Sequence, residues 1–227
     1  MRNGSCVWLL MFCAAASAAE PYSIALGACL RQNQPQPIWE AILAAQPKLF
    51  VFMGDNIYAD TLNMDVMRAQ YAKLQTQSGY RKVRASCPVL ATWDDHDYGQ
   101  NDAGAEYPMK TQSQRLFLDF LDIPQTSPLR TRPGVYSAHR YGPREQTIQV
   151  ILLDTRFFRS ALKRTQDETR CLTGRYVPNQ DPTATLLGEA YLGRPHSERG
   201  KEYRVLPTVG TQHRGVDGGG RERRPHH

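Results

Sequence analysis

Apolar and polar positions along this chain follow two periods. Leu49-Phe50-Val51-Phe52-Met53 and Pro88-Val89-Leu90-Ala91-Thr92-Trp93 are short apolar runs that lead into turn-forming residues, the pattern of buried strands. Tyr22 to Ala28 predicts another strand, ending at Cys29. Between Pro37 and Ala45, the residues Ile38, Trp39, Ile42 and Leu43 fall at helical spacing, with proline near the first turn. Asp65 to Leu74 predicts a second helix, with an acid near its start where the helix dipole favours one. Ser113 to Leu121 carries a third helical stripe. Gly134 to Tyr141 and Thr147 to Leu153 read as a hairpin around Gly142-Pro143. Strand and helix patterns in alternation predict an α/β layer structure with part of its sheet parallel. No internal repeat is visible.

The pattern changes after Ala190. The remaining 37 residues hold seven hydrophobic residues and seven glycines, with no strand or helix period, which predicts low order. Residues 191–227 are expected to be a basic tail, either native or the product of a frameshift. This tail carries 8 Lys/Arg against 4 Asp/Glu, so most of the formal charge of +6 resides there. The charge therefore says little about a polyanion partner. Without zinc-finger spacing or an aromatic-and-basic ladder, specific nucleic-acid recognition is not expected.

At the other end, Arg2 precedes an apolar run from Val7 to Phe12 and a small-residue stretch Ala14-Ala15-Ala16-Ser17-Ala18. This fits a secretory signal peptide over residues 1–19, and a secreted or periplasmic protein is expected. The run is too short for a bilayer of about 30 Å, and no later segment is apolar enough for a stable span. Cleavage would leave Cys29, Cys87 and Cys171, an odd set in an oxidising compartment.

Chemistry enters where the strands end. The strings GDNIYAD, ending at Asp60, and WDDHD, ending at Asp97, each follow an apolar run. In open α/β sheets that edge is where ligands bind. Asp55, Asp94, Asp95 and Asp97 could not crowd there ionised without a cation between them, so a metal site is predicted. Gly54 lets the chain turn and a ligand approach, and Tyr58 follows Asp55 at helical spacing. The bland readings are a turn residue for Asp55, a half-buried ring for Tyr58 and a solvated loop for the WDDHD acids. The sharper reading is a hard cation held by carboxylates, with His96 as proton carrier and Asn101 adding a carbonyl oxygen. Cys29 is either a small buried hydrophobe or a thiolate ligand. Asp154 and Arg156 end the last strand; they form a structural ion pair, or Arg156 binds an anionic substrate. His139, His196 and His213 read as structural.

In combination GDNIYAD, PVLATWDDHDYGQNDAG and VILLDTRFFR resemble the PhoD-like alkaline phosphatases, a branch of the metallophosphoesterases, and Gly27-Ala28-Cys29 is similar to the Gly-Ser-Cys that opens such domains. The resemblance runs from about Ser23 to about Ala190, and the domain it implies is expected over residues 20–190. It implies a four-layer αββα sandwich and a cluster of iron (Fe3+) and calcium at the sheet edge. By position Cys29, Asp55 and Tyr58 match the family's iron ligands, with Asp55 bridging to calcium. Asp94, Asp95 and Asn101 are the candidates from the second loop. His96 matches the histidine beside the scissile phosphate, and Arg156 is the second candidate catalytic residue. The implied activity is hydrolysis of small-molecule phosphate monoesters or diesters by a metal-bound hydroxide. Members of the family continue past the Gly188-Glu189-Ala190 string with further strands and an Asp/His motif, which is absent here. The expectation is therefore an incomplete second sheet, and the alternative is a truncated remnant that binds metal or phosphate without catalysis.

Overall fold

The computed structural model describes residues 21–142, 147–166 and 175–188. The expected signal peptide, Cys171, the Gly142-Pro143 turn beyond Gly142, and the chain from residue 189 onward, with its basic tail, lie outside the described residues.

Three strands form a parallel sheet in the order β1 (Ile24–Gly27), β2 (Leu49–Met53), β3 (Val89–Thr92). The register pairs Gly27 with Phe52 and Met53 with Thr92, so all three strands end at one edge. The crossovers are helical. α1 (Ile38–Ala44) links β1 to β2, and α2 (Met64–Thr76) with α3 (Ser78–Ser86) links β2 to β3. The turn α4 (Asp95–Tyr98) follows β3, and α5 (Lys110–Phe120) completes the helical set. A two-stranded antiparallel hairpin, β4 (Ser137–Tyr141) with β5 (Ile148–Leu152), comes next. A short exposed pair, β6 (Lys163–Arg164) with β7 (Tyr176–Val177), closes the described chain.

The alternation along β2 sets the layers. Phe50 and Phe52 point to the helices, where their rings meet Trp39 of α1 at 5.7 and 6.2 Å between centroids. Tyr80 of α3 and Phe120 of α5 close the same cluster against Phe52. Leu49 and Val51 point the other way, into a second core with Leu152 of β5. The order is thus helices, parallel sheet, hairpin. Thr92 Oγ1 donates to Leu153 O at 2.7 Å, joining the end of β3 to the end of β5. Each buried aromatic contributes about 2–3 kcal/mol by removal from water, and this burial fixes the strand ends that carry the site.

The predicted elements are present, with ends shifted by a few residues. α3 was not anticipated, because in Ser78–Ser86 only Tyr80 and Val83 are buried, three residues apart in a basic stretch. No helix among the described residues is long and apolar enough to cross a membrane.

Candidate metal centre

Because β1, β2 and β3 are parallel, the loops after them converge. Cys29 N donates to Gly54 O at 3.2 Å, and Leu30 N to Asp55 O at 2.8 Å, so the first two loops are laced together. Cys29 (φ 57°), Asp55 (φ 51°) and Asp60 (φ 45°) all adopt the left-handed region, uncommon for residues with a Cβ and held only where surrounding structure enforces it. Gly54, at φ +115°, is required on two grounds. Its backbone lies in the same region, and a Cβ there would sit 2.6 Å from Asp94 Cβ, so glycine is what lets the β2 and β3 loops touch.

One acid builds this arrangement without facing a ligand. Asp97 is fully buried and accepts on Oδ1 from Asp55 N (3.2 Å) and Asp94 N (2.8 Å). Its Oδ2 accepts from Asn56 N (3.1 Å) and Asn56 Nδ2 (2.6 Å). A second buried carboxylate, Asp154, does the same for the far wall. Its Oδ1 takes Trp93 Nε1 and the amides of Arg156 and Phe157, and its Oδ2 takes Val135 N. Both acids therefore act as staples.

The ligand-like groups face a common point. Carboxylate oxygens of Asp55 and Asp95 and a ring nitrogen of His96 all lie within 4.8 Å of one another. Cys29 Sγ donates to Asp55 Oδ2 at 3.5 Å, and Tyr58 OH to the same oxygen at 3.2 Å. The other oxygen, Asp55 Oδ1, is buried with no hydrogen-bond partner. Burial, then the Asp94 and Asp95 charges, push the Asp55 carboxyl above its ordinary range. Burial and the Asp55 carboxylate likewise raise the Cys29 thiol and the Tyr58 phenol. Burial works against Asp95 too, but Arg156 and the Asp102 amide hold it below the usual range. A cation suits this set. It would satisfy the orphaned oxygen and relieve the mutual repulsion, and soft sulfur beside phenol, carboxylate and imidazole suits a transition metal.

Around this point sit residues that orient it. His96 Nδ1 lies 2.7 Å from Asp60 Oδ2, which assigns the proton to Nδ1 and leaves Nε2 as the free nitrogen. Tyr58 stacks near the His96 ring at 4.3 Å between centroids, and Arg31 rests over Tyr58 at 4.7 Å. Gln32, buried, clasps the Tyr58 backbone from both sides, taking its N–H and donating to its carbonyl, both at 2.9 Å. Asp60, Gln32 and Arg31 were not singled out from the sequence. Asp60 closes the GDNIYAD string, and its position there was the one available signal.

Other predicted residues fall elsewhere. Asp94 is gripped by the Arg156 guanidinium, which also lies 3.7 Å from Asp95 Oδ1. The expected Asp154–Arg156 ion pair is not formed. Asp154 takes Arg156's backbone N–H, and the side chain reaches across to Asp94 because Asp154 is already filled by four N–H donors. Asn101 is exposed and gives its amide to Asp102 at 2.8 Å, one step removed from Asp95, whose Oδ2 accepts from Asp102 N. Cys29 is exposed, so its reading as a buried hydrophobe does not hold, whereas Cys87 is buried. His139 bonds Ser137 within β4, as a structural histidine does.

The sequence matches the PhoD-like phosphatase family over residues 24–206. This chain belongs to that family. A solved structure titled "Structure of PhoD" is similar to this PhoD-like chain at 18% identity and a TM-score of 0.57. The likeness covers 75% of this chain and 38% of that one, so the PhoD-like chain spans well under half the length of the structure it matches. At that identity the match speaks for the α/β fold. No curated protein matches the chain.

Proposed function

We propose that this PhoD-like chain hydrolyses small phosphate esters at a metal centre formed by Cys29, Asp55, Tyr58, Asp95 and His96. The observation that carries the reading is the buried, unpartnered Asp55 Oδ1 in a cluster where Asp55, Asp95 and His96 bring ligand atoms within 4.8 Å of one another. The donor set suits iron for the Cys29–Tyr58–Asp55 side and calcium for the carboxylate side. When bound, such cations lower the pKa of a coordinated water and neutralise charge on phosphoryl oxygens.

The chain's own groups would do the rest. Arg156 neutralises Asp94 through one side of its guanidinium, and its Nη1 is buried without a partner, a donor suited to a phosphoryl oxygen. Asp60 holds the His96 proton at Nδ1, so Nε2 is the nitrogen that would face the cation. Before a cation binds, Tyr58 and Cys29 keep Asp55 aimed through their bonds to Oδ2, and each would give up that proton to become a ligand. The αββα arrangement would add a further helical layer beyond β4 and β5, where Ile151 is half exposed. Export through the N-terminal apolar stretch belongs to the same reading and rests on the sequence pattern alone.

The test is turnover of p-nitrophenyl phosphate and bis-p-nitrophenyl phosphate by the full chain loaded with iron and calcium. A visible tyrosinate-to-iron absorption, lost in Tyr58→Phe, supports the site, and a chain that binds neither metal refutes it. The 38% coverage of the PhoD structure favours a second reading, a chain that holds metal or phosphate without turnover. Tight metal binding with no hydrolysis of either substrate would establish it.

A further inference from the structure

Away from the metal centre, one face of α5 and the loop from Gln125 to Pro133 line a half-open cavity of about 450 Å³, within the range of small-molecule sites (~300–1,000 Å³). Its walls are fixed. Gln114, buried, donates Nε2 to Leu129 O (2.9 Å), Arg132 O (2.8 Å) and Gly134 O (3.3 Å), and its Oε1 accepts from Gly134 N (2.9 Å). Arg130 is spent on the same task. It donates to the Ile123 and Pro124 carbonyls and pairs with Asp119 at 2.7 Å. Among the described residues, that pair neutralises the one carboxylate lining the cavity.

Two guanidinium groups remain after this accounting. Arg115 is exposed and has no carboxylate partner among the described residues. Arg132 stacks on Tyr136 at 3.6 Å and donates Nη2 to Tyr136 O, which leaves its buried Nη1 without an acceptor. Thr111 supplies a hydroxyl one turn before Arg115, and Leu118, Pro133 and Phe157 supply an apolar side. Two uncompensated cations, fixed walls and an apolar side suit an anionic head on a small apolar body.

We propose that this cavity is a second anion site, separate from the metal centre, for a small organic phosphate or carboxylate. Its head would sit between Arg115 and Arg132 and its body against Phe157. The inference does not depend on hydrolysis at the metal centre.

The experiment uses the full chain with 15N-labelled arginine, treated with chelator so that the metal centre holds no cation. Phenyl phosphate, inorganic phosphate and benzoate are titrated in turn while the arginine side-chain signals are followed. Phenyl phosphate is expected to move Arg115 and Arg132 saturably with a Kd of about 1 mM, more tightly than inorganic phosphate. Arg115→Gln, an exposed change, should weaken it about tenfold, as expected for loss of a charged contact. Arg31→Ala, at the rim of the metal centre, should leave it unchanged. Tighter binding of phenyl phosphate than of benzoate assigns a phosphate head, and the reverse assigns a carboxylate head; either supports the site. The proposal is overturned if no probe saturates by about 20 mM, if the shifts spread evenly over exposed arginines, or if Arg115→Gln binds as the parent does.

Discussion

Asp97→Asn tests how the centre is built. The carboxylate accepts four N–H bonds, two on each oxygen, from Asp55, Asp94 and Asn56. An amide can offer only one accepting oxygen. Whichever way it turns, its NH2 meets two donors, so two bonds are lost and two buried donors are left facing a third. Bonds to charged groups contribute about 1.5–3 kcal/mol each, so the loss is about 3–6 kcal/mol. For a domain of this size about 2–4 °C of melting temperature accompanies each kcal/mol, which predicts a fall of about 6–24 °C. Thermal melts followed by circular dichroism, on chelator-treated protein at pH 8, would measure it. Burial pushes the Asp97 carboxyl well above the ordinary carboxylate range, while the four donors converge on its ionised form. Equal melting temperatures for parent and variant would mean that burial has won and the carboxyl is already protonated, and the staple argument would be wrong.

Three further outcomes are expected. Asp55 and Asp94 have raised pKa values, from burial first, so their contribution to stability is present below the unfolded value near 3.9 and is lost as pH rises through the folded one. Metal-free protein should accordingly melt lower as pH climbs out of the acid range, and Asp55→Asn should flatten that slope while abolishing stabilisation by added cation. Gly54→Ala should destabilise by at least about 2 kcal/mol, read by urea unfolding, since its Cβ would meet Asp94 Cβ at 2.6 Å at φ +115°; a neutral result would mean that the two loops part freely. Asp60→Asn should weaken metal binding about tenfold or more, measured by titration against a competing chelator, with an unchanged melting temperature for the metal-free protein; unchanged metal affinity would show that His96 needs no orienting partner.

The sequence was most legible where a candidate ligand follows its strand directly. Apolar runs at Leu49–Met53 and Val89–Thr92 located the strand ends, and Asp55, Tyr58, Asp95 and His96 lie within a few residues of them. What lay hidden depends on partners distant in sequence. Arg156 reaches Asp94 across 62 residues, and Gln32 clasps Tyr58 across 26. Neither pairing leaves a periodic trace. Proximity in sequence also misled at Asp154 and Arg156, where the pair is split because the acid faces the Trp93 indole and loop amides while the guanidinium turns to the neighbouring loop.

The acids that hold the fold differ from the candidate ligand Asp55 in how many N–H donors reach their oxygens, which composition does not reveal. Asp97 and Asp154 are both fully buried and have N–H donors on both oxygens, so neither has an obvious place left for a cation. Asp55 is nearly as buried, yet one oxygen has no partner, and the other takes only a thiol and a phenol that are themselves metal-ligand types. A structure optimised for its own stability would have paired that oxygen or replaced the residue. The left-handed backbone at Asp55 and Cys29 repeats the argument in conformational terms, because strain in two adjoining loops persists only where the surrounding bonds enforce it. The staples are what enforce it. Asp97 ties the Asp55 and Asp94 amides to one carboxylate, so the centre keeps its shape through a scaffold of satisfied acids surrounding an unsatisfied one.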